Sequence, residues 1–359
     1  MYSSFNKVQV EGVVKEVNLV LVDDVKKNLV SGWDAKTRTF ANRLDGWTGK
    51  GYKLNKFGNP ALIVETEAGV NIKVELKDVN FGIPAKGLDD KGNLVDNRTF
   101  KSIETLLSQL VLGQTIVNID GKLVDSTFGD VRNNTVVSAQ KIEATRISVA
   151  SAKGETQELQ GCITGVFKTI TPEIKNEEET GRGLATILTF TSKGEAIPFK
   201  FVAHSYEELT DMWQVGDSAK VSFTVEERWV GSKPQAQSTR KTFGKVAQFK
   251  SVEGKSITEY IITGGEEAYE NEGQPLEGEA PTEAQKYFVT KKEVEEGLNS
   301  RAVTEQRILQ QAIDRANGTK ATTTTPVAKS ETKVDANPFG APATPVVEAP
   351  KTEAPTALF

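Results

Sequence analysis

The chain has 359 residues, which by the usual size of domains allows two of them and a tail. Its net charge is −5, and it holds one cysteine and one histidine, which excludes an internal disulfide framework and a metal site rich in His or Cys. The first residues have no apolar segment of the secretory type, and no run of about 18 apolar residues occurs. We therefore expect a cytoplasmic protein with no membrane partner and no bound metal.

The two halves of the sequence share five segments in the same order, which indicates a diverged internal duplication. Glycines anchor the comparison: Gly12 aligns with Gly161, and Gly69 aligns with Gly194. The paired segments are 10–17 with 159–166, 62–76 with 187–201, 102–113 with 205–216, 115–119 with 221–225, and 127–131 with 242–246. Chance can match one or two short segments, but a whole series in one order indicates two copies of one domain.

Apolar and polar residues alternate within most of these segments, as at Ile72, Val74 and Leu76, and this period of two is typical of strands with one buried face. Each copy has the order strand, loop, strand, turn, strand, helix, strand, loop, strand. That order is the layout of the OB-fold, a small five-stranded Greek-key barrel. We predict a mainly β protein with two tandem OB-fold-like barrels, each with one short helix, over residues 1–150 and 151–265.

The composition changes after the second copy. Residues 266–300 are acidic and rich in Gly and Pro, a mixture that buries too little apolar surface to fold alone, and we predict a disordered linker there. A modest apolar stripe predicts a short helix at 301–317. Residues 318–359 are a low-complexity run of Thr, Ala and Pro, for which we predict a largely disordered tail.

An insertion at about residues 23–58 separates the first two strands of the first copy and combines aromatic with basic side chains. Rings spaced by cations suit a single-stranded nucleic acid, whose bases stack on the rings while its phosphates meet the cations. Because the insertion contains several glycines, we expect it to become ordered only on a bound strand. A surface hairpin whose rings fold back onto its own domain is the alternative. The predicted stacking residues are Trp33, Phe40, Trp47, Tyr52 and Phe57, and the predicted phosphate ligands are Lys36, Arg38, Arg43, Lys50, Lys53 and Lys56.

A second basic and aromatic segment, residues 228–250, lies between the last two strands of the second copy and holds no acidic residue. OB-folds bind oligonucleotides through one sheet face and through the loops at these two places. Phe128 and Phe243 occupy the same position in the two copies, and we select Phe243 because its sequence neighbours are basic. The predicted residues here are Trp229 and Phe243 for stacking, and Arg228, Lys233, Arg240, Lys241, Lys245 and Lys250 for phosphate.

The sequence motifs of common enzyme classes are missing. The stretch GWTGKG at 46–51 is too short for a phosphate-binding P-loop, and neither GxSxG nor HExxH occurs. The single histidine, His204, follows an apolar run and is interpreted as structural. Adjacent carboxylates such as Asp23 and Asp24 fit a solvated surface. We predict a non-catalytic protein that uses no cofactor.

Over residues 5–265, the order of the elements and the aromatic, basic loops resemble those of single-stranded DNA-binding proteins with tandem OB-like domains, of the bacteriophage and mobile-element type. The resemblance implies sequence-independent binding and protection of single-stranded DNA in replication, recombination and repair, in the cytoplasm of a host if the protein is viral. Binding of single-stranded RNA, and a structural or adaptor role for two β-barrels, are the alternatives.

In proteins of this type, a disordered tail commonly ends in a Pro-Phe tip that docks replication and recombination proteins. The resemblance therefore implies recruitment of such partners by Asp335, Pro338 and Phe339. The terminal Leu358 and Phe359 are the alternative tip. The sequence leaves open the oligomeric state, the length of strand covered and the identity of the partners.

Overall fold

A computed structural model describes residues 4–34, 36–37, 39–56, 58–76, 82–150, 158–230, 255–273 and 280–317. The first half of this described part contains β1 (Asn6–Val17), β2 (Val20–Val30), β3 (Trp33–Asp34), β4 (Thr39–Phe40), β5 (Arg43–Lys53), β6 (Ala61–Glu65), β7 (Asn71–Leu76), β8 (Ile83–Pro84), β9 (Lys86–Leu88), β10 (Leu94–Asp96), α1 (Arg98–Ser108), β11 (Ile116–Asp130) and β12 (Thr135–Val149). The second half contains β13 (Leu159–Lys175), β14 (Glu178–Phe190), β15 (Ala196–Ala203), α2 (Tyr206–Met212), β16 (Ser218–Val230), β17 (Lys255–Gly265), α3 (Glu283–Tyr287) and α4 (Lys291–Ala316). All of these elements lie within one unit, Met1–Thr319.

Five strands of the first copy close into what we call the first barrel, in the order β1, β6, β7, β12, β11 and back to β1. β7 and β12 run parallel, with Val74 opposite Ile142, whereas the other neighbours are antiparallel. α1 lies between β7 and β11 in the chain, after the short strands β8, β9 and β10. It begins at Arg98, because the side chain of Asn97 accepts a hydrogen bond from the Thr99 backbone N–H. This strand order, with one parallel pair and a helix before the fourth strand, is that of the OB-fold.

The second copy repeats this arrangement. β13, β14, β15, β17 and β16 close into the second barrel, with β15 and β17 parallel. Its helix, α2, again precedes the fourth strand and is capped by Ser205. Four phenylalanine rings are fully buried inside it, those of Phe167, Phe199, Phe201 and Phe223. The prediction of a mainly β chain with two OB-fold-like barrels is confirmed.

The turn between the second and third strands is the same in both barrels. The N–H of Gly69 donates to the Thr66 carbonyl at 2.9 Å, and the N–H of Gly194 donates to the Thr191 carbonyl at 2.8 Å. Both glycines have positive φ angles, 78° and 80°, a region that favours glycine. The sequence alignment of these two glycines is therefore confirmed.

The first strands align differently from the sequence-based expectation. A Cβ atom on Gly12 would lie 2.4 Å from the carbonyl oxygen of Glu65, and one on Gly165 would lie 2.4 Å from that of Leu188. Because neither glycine has a side chain, the backbone of the second strand of each barrel can approach it closely. Gly12 corresponds to Gly165, and its predicted alignment with Gly161 is wrong, because an alternating apolar pattern fits several registers equally well.

Backbone hydrogen bonds support the corrected alignment. The N–H of Gly113, after α1, donates to the carbonyl of Val14, and the N–H of Gly216, after α2, donates to that of Phe167, both at 2.8 Å. Each first strand also has a bulge directly after this residue. The bulge and the hydrogen bond from the glycine after the helix therefore occur together in both barrels.

The two barrels are joined through their first strands. The N-terminal half of β1 pairs antiparallel with the start of β13, where Val8 lies opposite Gly161. The C-terminal half of β1 pairs with β6 instead. Because β1 divides its length in this way, a continuous ten-stranded sheet runs through both barrels.

The insertion between β1 and β6 folds into a small three-stranded sheet together with β8. β2 and β5 pair along most of their length, and β8 adds a third strand, with Tyr52 opposite Ile83. Leu19, Tyr52, Ile83, Phe100 and Ile103 form a small core there. The expectation that the insertion orders only on a bound strand is wrong, because β8 and α1, which lie later in the sequence, cover its apolar side.

The segment after the second barrel contains more helix than the sequence indicates. α3 and the first part of α4 lie within residues 266–300, which are predicted as a disordered linker. α4 begins at Lys291 rather than near residue 301, because Thr290 and Glu293 form a capping box at its start. Tertiary packing also favours the longer helix, since two of its apolar side chains join a buried cluster of the second barrel.

The predicted tail, residues 318–359, lies outside the described residues, and with it all five predicted tip residues. None of the helices in the described ranges is long and apolar enough to cross a membrane.

Candidate nucleic-acid interface

A cleft of about 880 Å³ lies between the two barrels. The first barrel contributes β7 and the β11–β12 hairpin to its walls, and the second barrel contributes β16 and β17. A cavity of about 560 Å³ continues the cleft across β14 and β15, and the two share Gln140, Thr258 and Tyr260. We call the combined feature the inter-barrel groove; the residues that define it are Lys73, Phe128, Gln140, Lys141, Lys200 and Tyr260.

Phe128 lies near the tip of the β11–β12 hairpin and is 52% exposed. Because side chains alternate along a strand, Ser126 and Phe128 line the groove while Asp125 and Thr127 lie on the opposite face. A ring this exposed contributes little to the stability of the fold. A base stacked on it, by contrast, contributes about 1–3 kcal/mol to the free energy of binding. The ring of Phe128 is therefore available to a ligand in the groove.

Two lysines share one carboxylate in the wall of the groove. The ammonium of Lys141 lies 2.5 Å, and that of Lys73 3.5 Å, from the carboxylate of Glu75, whose side chain is 9% exposed. The side-chain amide of Asn59 donates a further hydrogen bond to Glu75 at 2.9 Å. Two positive charges against one negative charge leave a net positive charge in the cavity that Phe128 also lines.

Gln140 and Tyr260 link the first barrel to the second within the groove. The Gln140 side chain donates to the Lys200 carbonyl at 3.0 Å and accepts from the Lys200 N–H, as a neighbouring strand would. Tyr260 packs edge-on against Phe201 and Phe223. Burial raises the pKa of Tyr260 to about 12. Its hydroxyl, protonated at neutral pH like that of any tyrosine, can donate a hydrogen bond.

Three of the predicted stacking residues are accessible. Trp47 is half-buried on β5, Phe40 is 47% exposed on β4, and Trp229 is 37% exposed near the end of β16. β4 pairs with β3 at Phe40 and Trp33, which places these two residues opposite each other. The side chain of Trp33, and the residues Phe57 and Phe243, lie outside the described part of the chain.

Tyr52 is a core residue and the prediction that it stacks on a base is wrong. It is 5% exposed, and its ring centre lies 5.1 Å from that of Phe100. Burial raises the pKa of its hydroxyl. The surrounding glycines and lysines indicate an exposed loop, but β8 pairs with β5 at this residue and encloses the ring.

Most predicted phosphate ligands of the insertion are paired with surface carboxylates. The ion pairs are Arg43–Asp45 at 2.6 Å, Lys53–Asp24 at 2.7 Å, Lys56–Glu16 at 2.7 Å and Lys50–Glu104 at 3.2 Å. Exposed pairs contribute at most about 1 kcal/mol each, so a phosphate can replace the carboxylate at little cost. Lys36 is exposed on the turn between β3 and β4. Arg38, Lys233, Arg240, Lys241, Lys245 and Lys250 lie outside the described residues.

Arg228 is held in a compact ionic cluster. Its guanidinium lies 3.2 Å from Glu173 and 2.9 Å from Glu259, and Arg182 contacts the same two carboxylates. Burial raises the pKa of Glu173, but a hydrogen bond from Thr180 and the charges of both arginines outweigh it and hold that pKa below its ordinary value. Two arginines balanced by two glutamates favour a structural role for Arg228 over the predicted contact with phosphate.

Two observations concern metal and thiol chemistry in the described ranges. No three His, Cys, Asp or Glu residues among them are grouped as metal ligands would be. The thiol of Cys162 is half-buried, and burial raises its pKa, which disfavours the reactive thiolate at neutral pH.

A protein-family model described as YorF matches residues 50–300, more than half of the chain. The chain belongs to the YorF family. The matched region contains the second barrel and all of the first barrel except β1, so it includes every residue that defines the inter-barrel groove. No curated protein sequence gives a significant match.

Two crystal structures of the single-stranded DNA binding protein from Thermus aquaticus are similar to this YorF-family chain. The wild-type structure is 10% identical and that of a deletion mutant 12% identical, each with a TM-score of 0.36. The alignments cover 78% of this chain and 97% and 98% of the other, respectively.

The groove of this YorF-family protein is the part of the site that the sequence does not reveal. The sequence neighbours of Phe128 are not basic, whereas Lys73 and Lys141, from two other strands, line the same cavity. The OB-fold prediction contains a usable signal, because its parallel pairing of the third and fifth strands places Lys73 and Lys141 on neighbouring strands.

Proposed function

We propose that this YorF-family protein binds single-stranded DNA without sequence preference and protects it during replication, recombination and repair. The observation that carries the proposal is the inter-barrel groove, where the exposed ring of Phe128 shares a cavity with Lys73, Lys141 and Tyr260. Rings that accept bases beside cations that accept phosphates are the combination by which sequence-tolerant proteins bind a single strand.

In this account, a strand enters between the barrels and one of its bases stacks on Phe128. Its backbone passes the lysines that share Glu75, while the Tyr260 hydroxyl donates a hydrogen bond to a base or a phosphate. Lys200 continues the positive path over the second barrel. A duplex keeps both faces of its bases stacked on neighbouring pairs and so cannot use the ring.

The insertion extends this interface in our proposal. Trp47 and Phe40 are accessible rings, and the exposed ion pairs of Lys50, Lys53 and Lys56 can exchange carboxylate for phosphate. Recruitment of replication and recombination proteins by the tail, and an origin in a bacteriophage or mobile element, stay predictions.

Competition for a labelled oligothymidylate tests the proposal. We expect unlabelled single-stranded DNA of any sequence to compete well and duplex DNA to compete poorly, with affinity that falls steeply as salt rises because binding releases counterions. Equal or better competition by RNA would indicate an RNA-binding protein, since rings and cations alone do not detect a 2′-hydroxyl. Absence of binding to every nucleic acid at low salt would leave an adaptor role.

A further inference from the structure

α4 contacts both barrels, and Arg301 lies near its centre. The Arg301 side chain is 8% exposed. Its contacts are Asp125 Oδ2 at 2.6 Å, Thr127 Oγ1 at 2.6 Å, Ser138 Oγ at 3.2 Å, Glu195 Oε1 at 3.5 Å and Glu305 Oε1 at 2.7 Å. The first three belong to the β11–β12 hairpin of the first barrel, and Glu195 belongs to the β14–β15 turn of the second. One guanidinium therefore connects the two barrels.

The cluster around Arg301 is fully hydrogen-bonded. The carboxylate of Asp125 is 3% exposed and accepts hydrogen bonds from Thr127 and Ser138 as well as from Arg301. A buried charge is costly unless its partners are in place, so such a cluster tolerates few alternative geometries. Its main physical effect is to fix where the hairpin lies relative to α4.

The N-terminal half of α4 is seated on the second barrel. Val294 and Leu298 pack against a buried cluster that includes Phe190. A Cβ atom on Gly297 would lie 2.8 Å from the Phe190 ring and 2.9 Å from the Gly194 carbonyl oxygen. The helix backbone therefore lies directly on this barrel.

The C-terminal half of α4 is seated on the first barrel. A Cβ atom on Gly129 would lie 2.7 Å from the Ala312 Cβ and 3.1 Å from the Leu309 Cα. The apolar stripe that predicts a helix at 301–317 thus packs within the chain, on the β11–β12 hairpin. α4 therefore spans from the second barrel at its N-terminal half to the first barrel at its C-terminal half.

The hairpin that α4 holds is also the hairpin that forms a wall of the groove. Asp125, Thr127 and Gly129 lie on the face toward α4, whereas Ser126 and Phe128 lie on the face toward the groove. A shift of the hairpin against α4 consequently moves the Phe128 ring relative to the second barrel.

We propose that Arg301 is a positioning residue, which holds Phe128 at the distance from the second barrel that a single strand requires. The inference rests on the proposed function, because it assigns a role in binding to a residue that does not line the groove. Loss of the guanidinium should loosen the hairpin and weaken the binding of strands that cross both barrels.

The experiment compares Arg301→Met with Arg307→Met, which removes an exposed guanidinium from the same helix. Hydrogen exchange without ligand should be faster in residues 126–138 of Arg301→Met and unchanged in Arg307→Met. Affinity for an oligothymidylate of about 30 nucleotides should fall about tenfold in Arg301→Met, but little for one of about 8 nucleotides, which one barrel can bind. In a Phe128→Ala background, Arg301→Met should cause no further loss.

Three results would overturn the inference: unchanged exchange in the hairpin, equal losses for short and long strands, or a full additional loss in the Phe128→Ala background. Asp125→Asn breaks the same cluster from the other side and must give the same pattern if Arg301→Met does not fold. Failure of the unsubstituted protein to bind any strand would refute the proposed function. Arg301 would then only connect the two barrels. The hydrogen-exchange experiment detects that role without any bound strand.

Discussion

The indole ring of Trp47 lies over the bare backbone of Gly49, two residues further along β5. A Cβ atom on Gly49 would lie 2.6 Å from Cζ2 and 2.9 Å from Cη2 of that ring. The absence of a side chain at Gly49 therefore leaves the space that the indole occupies. This contact makes the position of the ring sensitive to a single methyl group.

Gly49→Ala should displace the Trp47 ring and weaken binding of single-stranded DNA nearly as much as Trp47→Ala does. We expect tryptophan emission to change and an affinity loss of up to about 1–3 kcal/mol, the range for one stacked base. Gly87→Ala is the matched control, because a Cβ atom there meets nothing within 4 Å. If Gly49→Ala binds like the unsubstituted protein while Trp47→Ala binds weakly, the contact between the Trp47 ring and Gly49 has no role in binding.

Phe128→Ala should reduce affinity without reducing stability. The ring is 52% exposed, so its removal leaves no cavity, whereas the loss of a stacked base costs about 1–3 kcal/mol, or 5- to 150-fold in affinity. Anisotropy titrations and thermal melting measure the two effects separately. Val303→Ala, which shortens an exposed apolar residue of α4, should leave both unchanged. A lower melting temperature with unchanged affinity would make Phe128 a packing residue.

Tyr52→Ala should show the opposite behaviour. Removing a buried aromatic side chain typically costs about 3–5 kcal/mol in the free energy of unfolding, measured here by denaturant titration. Tyr52→Phe keeps the ring that packs on Phe100 and should retain most of the stability. A stable Tyr52→Ala protein with impaired binding would show that Tyr52 contacts the nucleic acid and is not a core residue.

The double substitution Lys56→Gln with Lys73→Gln should reduce the salt dependence of binding. Each phosphate contact contributes about 0.7 to the slope of log affinity against log salt for single strands, so two lost contacts should reduce the slope by about 1.4. Lys141 stays in place, which keeps Glu75 paired. Lys291→Gln with Lys292→Gln, at the start of α4, is the control pair. Equal changes of slope in both double variants would mean that only the net charge matters.

Stability should fall in acid partly through Glu173. Its pKa in the folded chain lies below the ordinary 4.5, so its stabilising contribution is complete above pH 4.5 and is lost as the pH falls through the lower folded value. Melting temperatures measured from pH 6 downward should decline in this window. Glu173→Gln should be less stable at pH 6 and should decline less. An identical decline in both proteins would show that other carboxylates dominate.

Local sequence patterns predict the barrels because the strands and turns that form them depend on residues close together in the sequence. Strand alternation and the glycine turns at Gly69 and Gly194 are sufficient for the order of the strands, and the OB-fold then follows from the helix before the fourth strand. The register of β1 is not predictable in this way. It depends on Gly12 passing close to the backbone of another strand, and Gly161 offers an equally plausible match.

The candidate site is less predictable because its parts come from distant segments. Exposure separates Trp47 and Phe40 from Tyr52, although all three lie among similar neighbours in the sequence. Basic charge beside Phe128 comes from other strands, and α4 gains its stability from packing on both barrels, which the sequence of the helix alone does not indicate.

Photochemical crosslinking tests the central claim, that a single strand passes through the inter-barrel groove, most directly. An oligothymidylate substituted with 5-iodouracil, irradiated in the complex and analysed by peptide mass spectrometry, identifies the rings that lie against bases. We predict crosslinks at Phe128 and Tyr260, abolished by excess unlabelled single strand and absent with duplex DNA. Crosslinks confined to peptides outside β11, β12 and β17, or equal crosslinking of duplex DNA, would contradict the claim.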